Sequence, residues 1–327
     1  MVGICASTWS ASFLLKPEVL AVLERGRSVL RLCPFARQAL NQLSYVGYEK
    51  TFSSGRKLGM TQPLENQWAL ILGASSGFGA AIARELAHAG MNVFGVHLDR
   101  RATLPNLKRV REEIAASGKE NVFFNINAAD DKKRQSTLDE MQGILKEKGG
   151  PSSIRVFVHS LAFGTLGRYF VTDSEKPVTD AQMNMTADVM AHSLVYWVQG
   201  LMTRELLGEG SKIFAMTSSG GHRVWPNYGP VSAAKAALES HIRQIALELA
   251  PQGITANSIQ AGVTDTPALR GIPGHEELIK NATRCNPSGR LTIPEDVGRA
   301  IVAMSHPYTQ WMTGTVIRVD GGEDIAG

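Results

Sequence analysis

Cysteine is scarce in this chain and poorly placed for chemistry. The 327 residues hold three, Cys5, Cys33 and Cys285, odd in number and without metal-ligand or CxxC spacing. A disulfide framework is therefore not expected, and reduced thiols in a cytoplasmic compartment are. Long apolar runs are also missing. Ser10 to Leu15 meets charge at Lys16, far short of the ~20 residues a membrane span needs, so no span is expected. The eight histidines are isolated in the sequence, which gives no metal-ligand pattern. There is no internal repeat and no low-complexity tract. Excess charge is small, +4 in total, and confined to one end. Residues 1–60 carry eight Lys and Arg against three Glu, leaving 26 basic and 27 acidic residues for the rest. A body without excess cations is not built to hold nucleic acid.

What is present begins with that basic segment. Apolar residues recur every three or four positions over Pro17 to Leu32 and Phe35 to Val46, reading as two amphipathic helices broken at Cys33-Pro34. Three roles stay open: a targeting leader, helices packed on the body or on a neighbouring subunit, or sequence upstream of a start at Met60. Thr51 to Pro63, rich in Ser, Gly and Lys, reads as a linker. The chain thus divides into a helical extension, 1–60, and a single domain, 61–327.

From there short apolar runs alternate with helical stretches, the pattern of a doubly wound parallel sheet with helices on both faces. Seven strands are expected: Trp68 to Leu72, Asn92 to His97, Val122 to Ile126, Arg155 to His159, Lys212 to Met216, Thr255 to Ile259 and Thr315 to Val319. The fold class is α/β.

The first strand runs into Gly73-Ala-Ser75-Ser76-Gly-Phe78-Gly79 and then into a helix with apolar spacing at Ile82, Leu86 and Ala89. Glycine suits a tight turn where backbone approaches a pyrophosphate, and the helix start supplies free N–H groups. A glycine string alone is weak; strand before and helix after give it weight. It points to a nicotinamide dinucleotide. The second strand ends His97-Leu-Asp99-Arg100-Arg101. Arginines favour a 2′-phosphate and an acid at the strand end repels one, so with Arg100 as the contact NADPH is favoured, NADH remaining possible. A solvated loop is the alternative for those arginines.

Further on stand Thr217-Ser218-Ser-Gly-Gly221, then Asn227-Tyr228-Gly-Pro230 and Ser232-Ala-Ala-Lys235-Ala-Ala-Leu-Glu239. Pro230 suits a helix first turn, placing Lys235 on a long helix and Tyr228 on its lead-in. These words, with Pro251-Gln-Gly-Ile254, Asn257-Ser-Ile259, Gly262-Val-Thr264-Asp-Thr266-Pro-Ala268, Asn286-Pro-Ser-Gly-Arg290 and Val319-Asp-Gly-Gly322, resemble the short-chain dehydrogenase/reductase family from about Trp68 to Gly322. A tyrosine and lysine seven apart, rather than four, and the string His159-Ser160-Leu161-Ala-Phe163-Gly164 resemble its bacterial enoyl-acyl-carrier-protein reductase branch.

The resemblance implies a Rossmann-type sheet and reduction of a trans-2-enoyl thioester on acyl carrier protein in fatty-acid synthesis. Hydride goes to the β-carbon, and Tyr228 stabilises the charge developing on the thioester oxygen. Lys235 binds the nicotinamide ribose while its charge favours an electron-rich phenol oxygen. Gly73, Ser75, Ser76, Phe78 and Gly79, the pair Asn127-Ala128 (Asn125-Ile126 in another register), Ser160, Leu161, Thr264 and Thr266 would hold the cofactor. Gly164, Tyr228 and Ala268 would face the substrate, and Thr264 to Ile279 would form a flap. Homodimers or homotetramers are implied too, through apolar faces at Val189 to Leu207 and Ala233 to Leu249.

Two departures keep alternatives open. Ser218 stands where many members have a second tyrosine. It is counted among the catalytic residues, and it suits a ketoreductase acting on 3-oxoacyl thioesters or other carbonyls equally well. No counterpart of the family's relay asparagine is found from Met190 to Ser193, Asn184 being out of register. A non-catalytic NAD(P)-sensing protein is the third reading, although a sensor would need neither Tyr228 nor Lys235.

Overall fold

The computed structural model describes residues 63–149, 153–172 and 176–326. The extension expected over residues 1–60, with Cys5 and Cys33, lies outside the described residues.

A run such as Trp68-Ala-Leu-Ile-Leu72 is apolar on both sides of its pleat and needs cover on both. Its five residues are buried. β1 (Trp68–Leu72), β2 (Asn92–His97), β3 (Asn121–Asn125), β4 (Ile154–His159), β5 (Lys212–Ser218), β6 (Thr255–Ala261) and β7 (Val316–Val319) form one sheet, ordered β3-β2-β1-β4-β5-β6-β7. Every pairing is parallel. The helices are α1 (Gly77–His88), α2 (Leu104–Ala116), α3 (Asp131–Lys148), α4 (Asp180–Ala187), α5 (Ser193–Thr203), α6 (Gly229–Leu249), α7 (Pro267–Arg270), α8 (His275–Cys285), α9 (Pro294–Met304) and α10 (Glu323–Ala326).

Alternation along the strands splits the core in two. Leu70, Leu72, Phe94 and Phe157 meet Trp197 of α5 and Leu238 and Ile242 of α6 on one face. Ala69, Ile71, Val93 and Phe214 meet Ile82 and Leu86 of α1 and Val297 and Ile301 of α9 on the other. These are the two covered faces of a doubly wound domain, as the sequence pattern implies.

The strands differ from expectation mainly at their ends. β5 and β6 run two residues further, Thr217 pairing with Gln260 and Ser218 with Ala261. The apolar pattern stops at Met216 and Ile259, but the hydrogen-bond ladder does not. Polar residues therefore sit on rigid backbone at the carboxyl ends of these strands. β3 begins one residue early and ends at Asn125; Ile126 N still donates to His97 O at 2.8 Å.

The apolar stretch from Val189 is not one helix. A π-helical turn, Asp188–His192, separates α4 from α5. Ser193 Oγ donates to Val189 O at 2.7 Å, a side-chain bond into the ladder of the kind that accompanies such breaks.

Trp197 ties this region to the loop after β3. It is fully buried, and its Nε1 donates to Ala128 O at 2.9 Å. Trp197→Ala removes both the packing and that bond, and chemical denaturation should show a loss of about 3–5 kcal/mol.

Candidate active site

The sheet order reverses between β1 and β4, the place in such folds where ligands bind beyond the strands' carboxyl ends. Gly73 opens the turn after β1 with φ +83°, and a Cβ on it would collide with the Ser160 carbonyl. Gly79, in the first turn of α1, has no room either, because a Cβ would strike the Gly73 carbonyl. Ser76, the N-cap of α1, is extended and makes no side-chain capping bond, so the first N–H groups of α1 are not capped by it. Ser76 is exposed, Ser75 half-buried, and Phe78 packs on the core below. A backbone cradle at a helix start suits a pyrophosphate.

The end of β2 is arranged differently from the expectation that Arg100 and Arg101 define it. His97 is buried and its Nδ1 is 2.8 Å from Asp99 Oδ2. Asp99 is pinned through its backbone by Asn125, which accepts from Asp99 N and donates to Asp99 O, both at 3.1 Å. Burial acts to raise the Asp99 carboxyl, but hydrogen bonds from Thr103, Ser75 and His97 outweigh it and hold the group below its ordinary value. An anionic carboxylate thus lies beside the glycine-rich turn. Arg100 and Arg101 are exposed, and neither guanidinium has a hydrogen bond or ion pair among the described residues. Asn127 is exposed, its Oδ1 accepting from Ala129 N at 3.0 Å, whereas Ala128 is buried beneath Trp197.

At the end of β5 three of the expected residues gather. Tyr228 is the N-cap residue of α6, not a member of its first turn. Ser218 lies beside it, the Tyr228 ring and Ser218 Oγ both bordering the space where a Gly220 Cβ would stand; burial raises the phenol pKa and the influence of Ser218 offsets part of the rise, so the hydroxyl remains a neutral donor at physiological pH. Ser218 Oγ also accepts from Gly220 N at 2.9 Å. Lys235 shares the apolar face of α6 with Val231, Ala234 and Leu238, is 5% exposed, and donates from Nζ to Met216 O at 2.7 Å. Burial lowers its pKa to about 8, opposed by the charge of Glu239 one turn along.

The remaining expected residues are spread along the same edge. Ser160 N donates to Leu72 O at 3.0 Å, and Leu161 packs on the core. A Cβ at Gly164 would meet Met190 Sδ and Thr186 Cγ2 at 2.7 Å, so this loop presses close onto α4 and the π turn. Thr264 and Thr266 are buried; Thr264 Oγ1 donates to Gly262 O, while Thr266 Oγ1 accepts from Leu269 N and caps α7. Thr266 faces the glycine-rich turn, its Cγ2 lying 3.6 Å from where a Gly77 Cβ would be. Ala268 is exposed on α7. Gly167 N donates to Asn227 O, and the Tyr169 ring covers Gly229, so the 163–170 loop rests beside Tyr228. That loop exposes Phe163, Tyr169 and Phe170, and the loop before Tyr228 exposes Val224.

Comparison with known proteins adds to this geometry. A family model described as enoyl-(acyl carrier protein) reductase matches residues 73–323. The chain belongs to that family of short-chain oxidoreductases. The enoyl-[acyl-carrier-protein] reductase [NADH] of Aquifex aeolicus is 31% identical over 278 residues, which is 81% of this chain and 93% of that one. The Aquifex enzyme's crystal structure superposes with a TM-score of 0.69, covering 81% of this chain and 98% of that chain at 27% identity. A chloroplastic NADPH-dependent aldehyde reductase-like protein of Arabidopsis thaliana is 27% identical over 80% of this chain and 95% of its own length. This reductase is accordingly a nicotinamide-dependent enzyme.

Two groups beside the tyrosine and lysine of this reductase escaped the sequence reading. His159, at the end of β4, is fully buried, and its Nε2 is 2.8 Å from Ser193 Oγ. Because the Ser193 proton goes to Val189 O, His159 must donate from Nε2. Burial, then the Lys235 charge, lower its pKa to about 3, so it stays neutral. Glu239 accepts from Thr217 Oγ1 at 2.6 Å and serves as the carboxylate nearest in charge to Lys235. The spacing of four between Lys235 and Glu239 was a usable signal; the His159–Ser193 pair, 34 residues apart, left none.

The Lys235 value sets a pH test. Its folded pKa, about 8, lies below the ordinary 10.5, so its unfolded form holds more protons between those values and its contribution to stability rises with pH across that window. Dinucleotide affinity should move the other way, falling as pH rises through about 8 and the ammonium is lost. Calorimetric binding at pH 7 and pH 9 should show this fall in the native chain and not in Lys235→Met.

Proposed function

We propose that this reductase reduces the 2,3-double bond of trans-2-enoyl thioesters carried on acyl carrier protein, as a step of fatty-acid synthesis. The observation that carries this reading is the position of Tyr228 as the N-cap residue of α6, next to Ser218 and beside the exposed apolar residues Phe163, Tyr169, Phe170 and Val224. An acyl chain needs an apolar surface, and its thioester oxygen needs one well-placed donor.

A reduced nicotinamide, when bound, supplies the hydride. Gly73 and Gly79 give its pyrophosphate room, Ser75, Ser76 and the N-terminus of α1 offer donors, and Thr264 and Thr266 bound the opposite side of the crevice. Lys235, charged below about pH 8, takes the ribose hydroxyls and keeps a positive field near the phenol. Tyr228 donates to the thioester oxygen as negative charge gathers there, and Ser218 holds the hydroxyl in place. Neither residue is a nucleophile. Tyr228→Phe should lower kcat about 100-fold or more while leaving dinucleotide affinity within about twofold, since a donor to a developing oxyanion is worth a few kcal/mol. Unchanged turnover would remove Tyr228 from the mechanism.

The choice of dinucleotide follows from charge. Arg100 and Arg101 favoured NADPH, but the carboxylate beside Ser75 is that of Asp99, and it opposes a 2′-phosphate. The Aquifex relative bears NADH in its name. NADH is therefore taken as the cofactor, with NADPH recovered when the acid is removed. Asp99→Ser should raise kcat/KM for NADPH relative to NADH at least tenfold; an unchanged ratio would return the choice to the arginines.

Ketoreduction is the second reading, favoured by the closeness of Ser218 to Tyr228, which puts two hydroxyls where a carbonyl oxygen could lie. Oxidation of the reduced dinucleotide by acetoacetyl thioester but not by crotonyl thioester would establish it. The family expectation of dimers or tetramers, and of a cytoplasmic setting, is part of the same proposal.

A further inference from the structure

The last residues of the chain bind back onto the active-site edge. Beyond β7 the backbone turns through Asp320, Gly321 and Gly322, both glycines at positive φ, into the short α10. Asp320 holds this turn together, its Oδ1 accepting from Gly322 N at 2.9 Å and its Oδ2 from Asp324 N at 3.0 Å. Two carboxylates then project from α10 in different directions.

Glu323 reaches the loop after β6. Its Oε1 and Oε2 accept from Val263 N at 3.2 and 3.0 Å. Gly262 leaves the space this needs, because a Cβ there would lie 2.9 Å from Glu323 Oε2. Val263 lies directly before Thr264, whose hydroxyl donates to Gly262 O. Glu323 thus fixes the backbone from Gly262 to Thr264 from behind.

Asp324 reaches the loop between Ser218 and Tyr228. Its side chain is 4% exposed and gathers three cationic or ionisable partners, His222 Nε2 at 3.1 Å, Arg223 Nε at 2.9 Å and Arg318 Nε at 3.1 Å. Arg223 also donates to the Asp324 carbonyl. A carboxylate so enclosed is stabilised by charge-assisted bonds, and losing it would leave His222, Arg223 and Arg318 without their shared carboxylate. The same turn also receives the segment after the α7–α8 region: Asn286 Nδ2 donates to Asp320 O at 2.8 Å and Ser288 Oγ to Gly321 O at 3.1 Å.

We propose that Glu323 and Asp324 are positioning residues with separate tasks: Glu323 sets the Gly262–Thr264 backbone for the dinucleotide, and Asp324 sets the 222–223 loop for the enoyl thioester. This rests on the enoyl reductase reading for its second half only. The first half concerns dinucleotide binding, which any nicotinamide-dependent member of the family needs. Each acts through the backbone it holds rather than through a contact of its own with a ligand.

The test uses the full chain with Glu323→Ala, Glu323→Gln, Asp324→Ala and Asp324→Asn. Dinucleotide affinity is measured by calorimetry, and kcat and KM with crotonyl thioester. Glu323→Ala should weaken dinucleotide binding about tenfold, the scale of one lost bond to a charged acceptor, with the enoyl KM within about twofold. Glu323→Gln, which keeps one acceptor for Val263 N, should recover most of that loss. Asp324→Ala and Asp324→Asn should raise the enoyl KM about tenfold and leave dinucleotide affinity within about twofold. If all four variants shift both quantities by the same factor, or lower the melting temperature and shift neither, α10 is a fold staple and the proposal is wrong. A native chain that binds dinucleotide but does not reduce crotonyl thioester would defeat the enoyl reading instead, and the Glu323 binding result would still decide the first half.

Discussion

Everything at the working edge depends on one steric constraint, the contact of the Gly73 turn with the Ser160 carbonyl. With no side chain at Gly73 the loops after β1 and β4 touch, and with none at Gly79 α1 starts directly beneath them. Together these contacts hold the N-terminus of α1 against the turn after β1. A Cβ at either position would have to push apart two loops held by strand pairing, and the dinucleotide cradle would open before the sheet did.

A second consequence concerns Lys235. Placing an ammonium on the buried face of α6 costs desolvation, and the structure meets part of that cost with the Met216 carbonyl and the charge of Glu239. The lowered pKa is what remains of it. Tyr228, half-buried, moves in the opposite direction and stays protonated. The two groups sit at the end of one strand with opposite shifts, one a cation near its titration point and the other a firm donor. Such a pairing suits the catalytic role proposed for the two residues.

Much of this was legible in the sequence, for reasons that can be traced to particular residues. The strands were readable because buried parallel strands are apolar throughout, as in Trp68 to Leu72. The glycine turn was readable because strand and helix flank it, and Tyr228 and Lys235 because Pro230 marks the helix between them. What was not readable depends on contacts across the fold. Asp99 against Ser75, His159 against Ser193, and Asp324 against His222, 102 residues away, have no local pattern. The arginines at 100 and 101 were visible as charge, but only the fold shows Asn125 holding the backbone of Asp99 beside them. The π turn before α5 was hidden for a related reason: Ser193 is an unremarkable helix residue until its hydroxyl is seen bonded to Val189.

The central claim is that hydride is delivered to an alkene carbon, with the thioester oxygen held by Tyr228. Incubating the full chain with crotonyl thioester and NADH carrying deuterium at C4, then locating the label in the product, tests it most directly. The account predicts butyryl thioester with deuterium at C3 and a solvent proton at C2. No label in butyryl thioester, together with efficient transfer to the carbonyl carbon of acetoacetyl thioester, would contradict it.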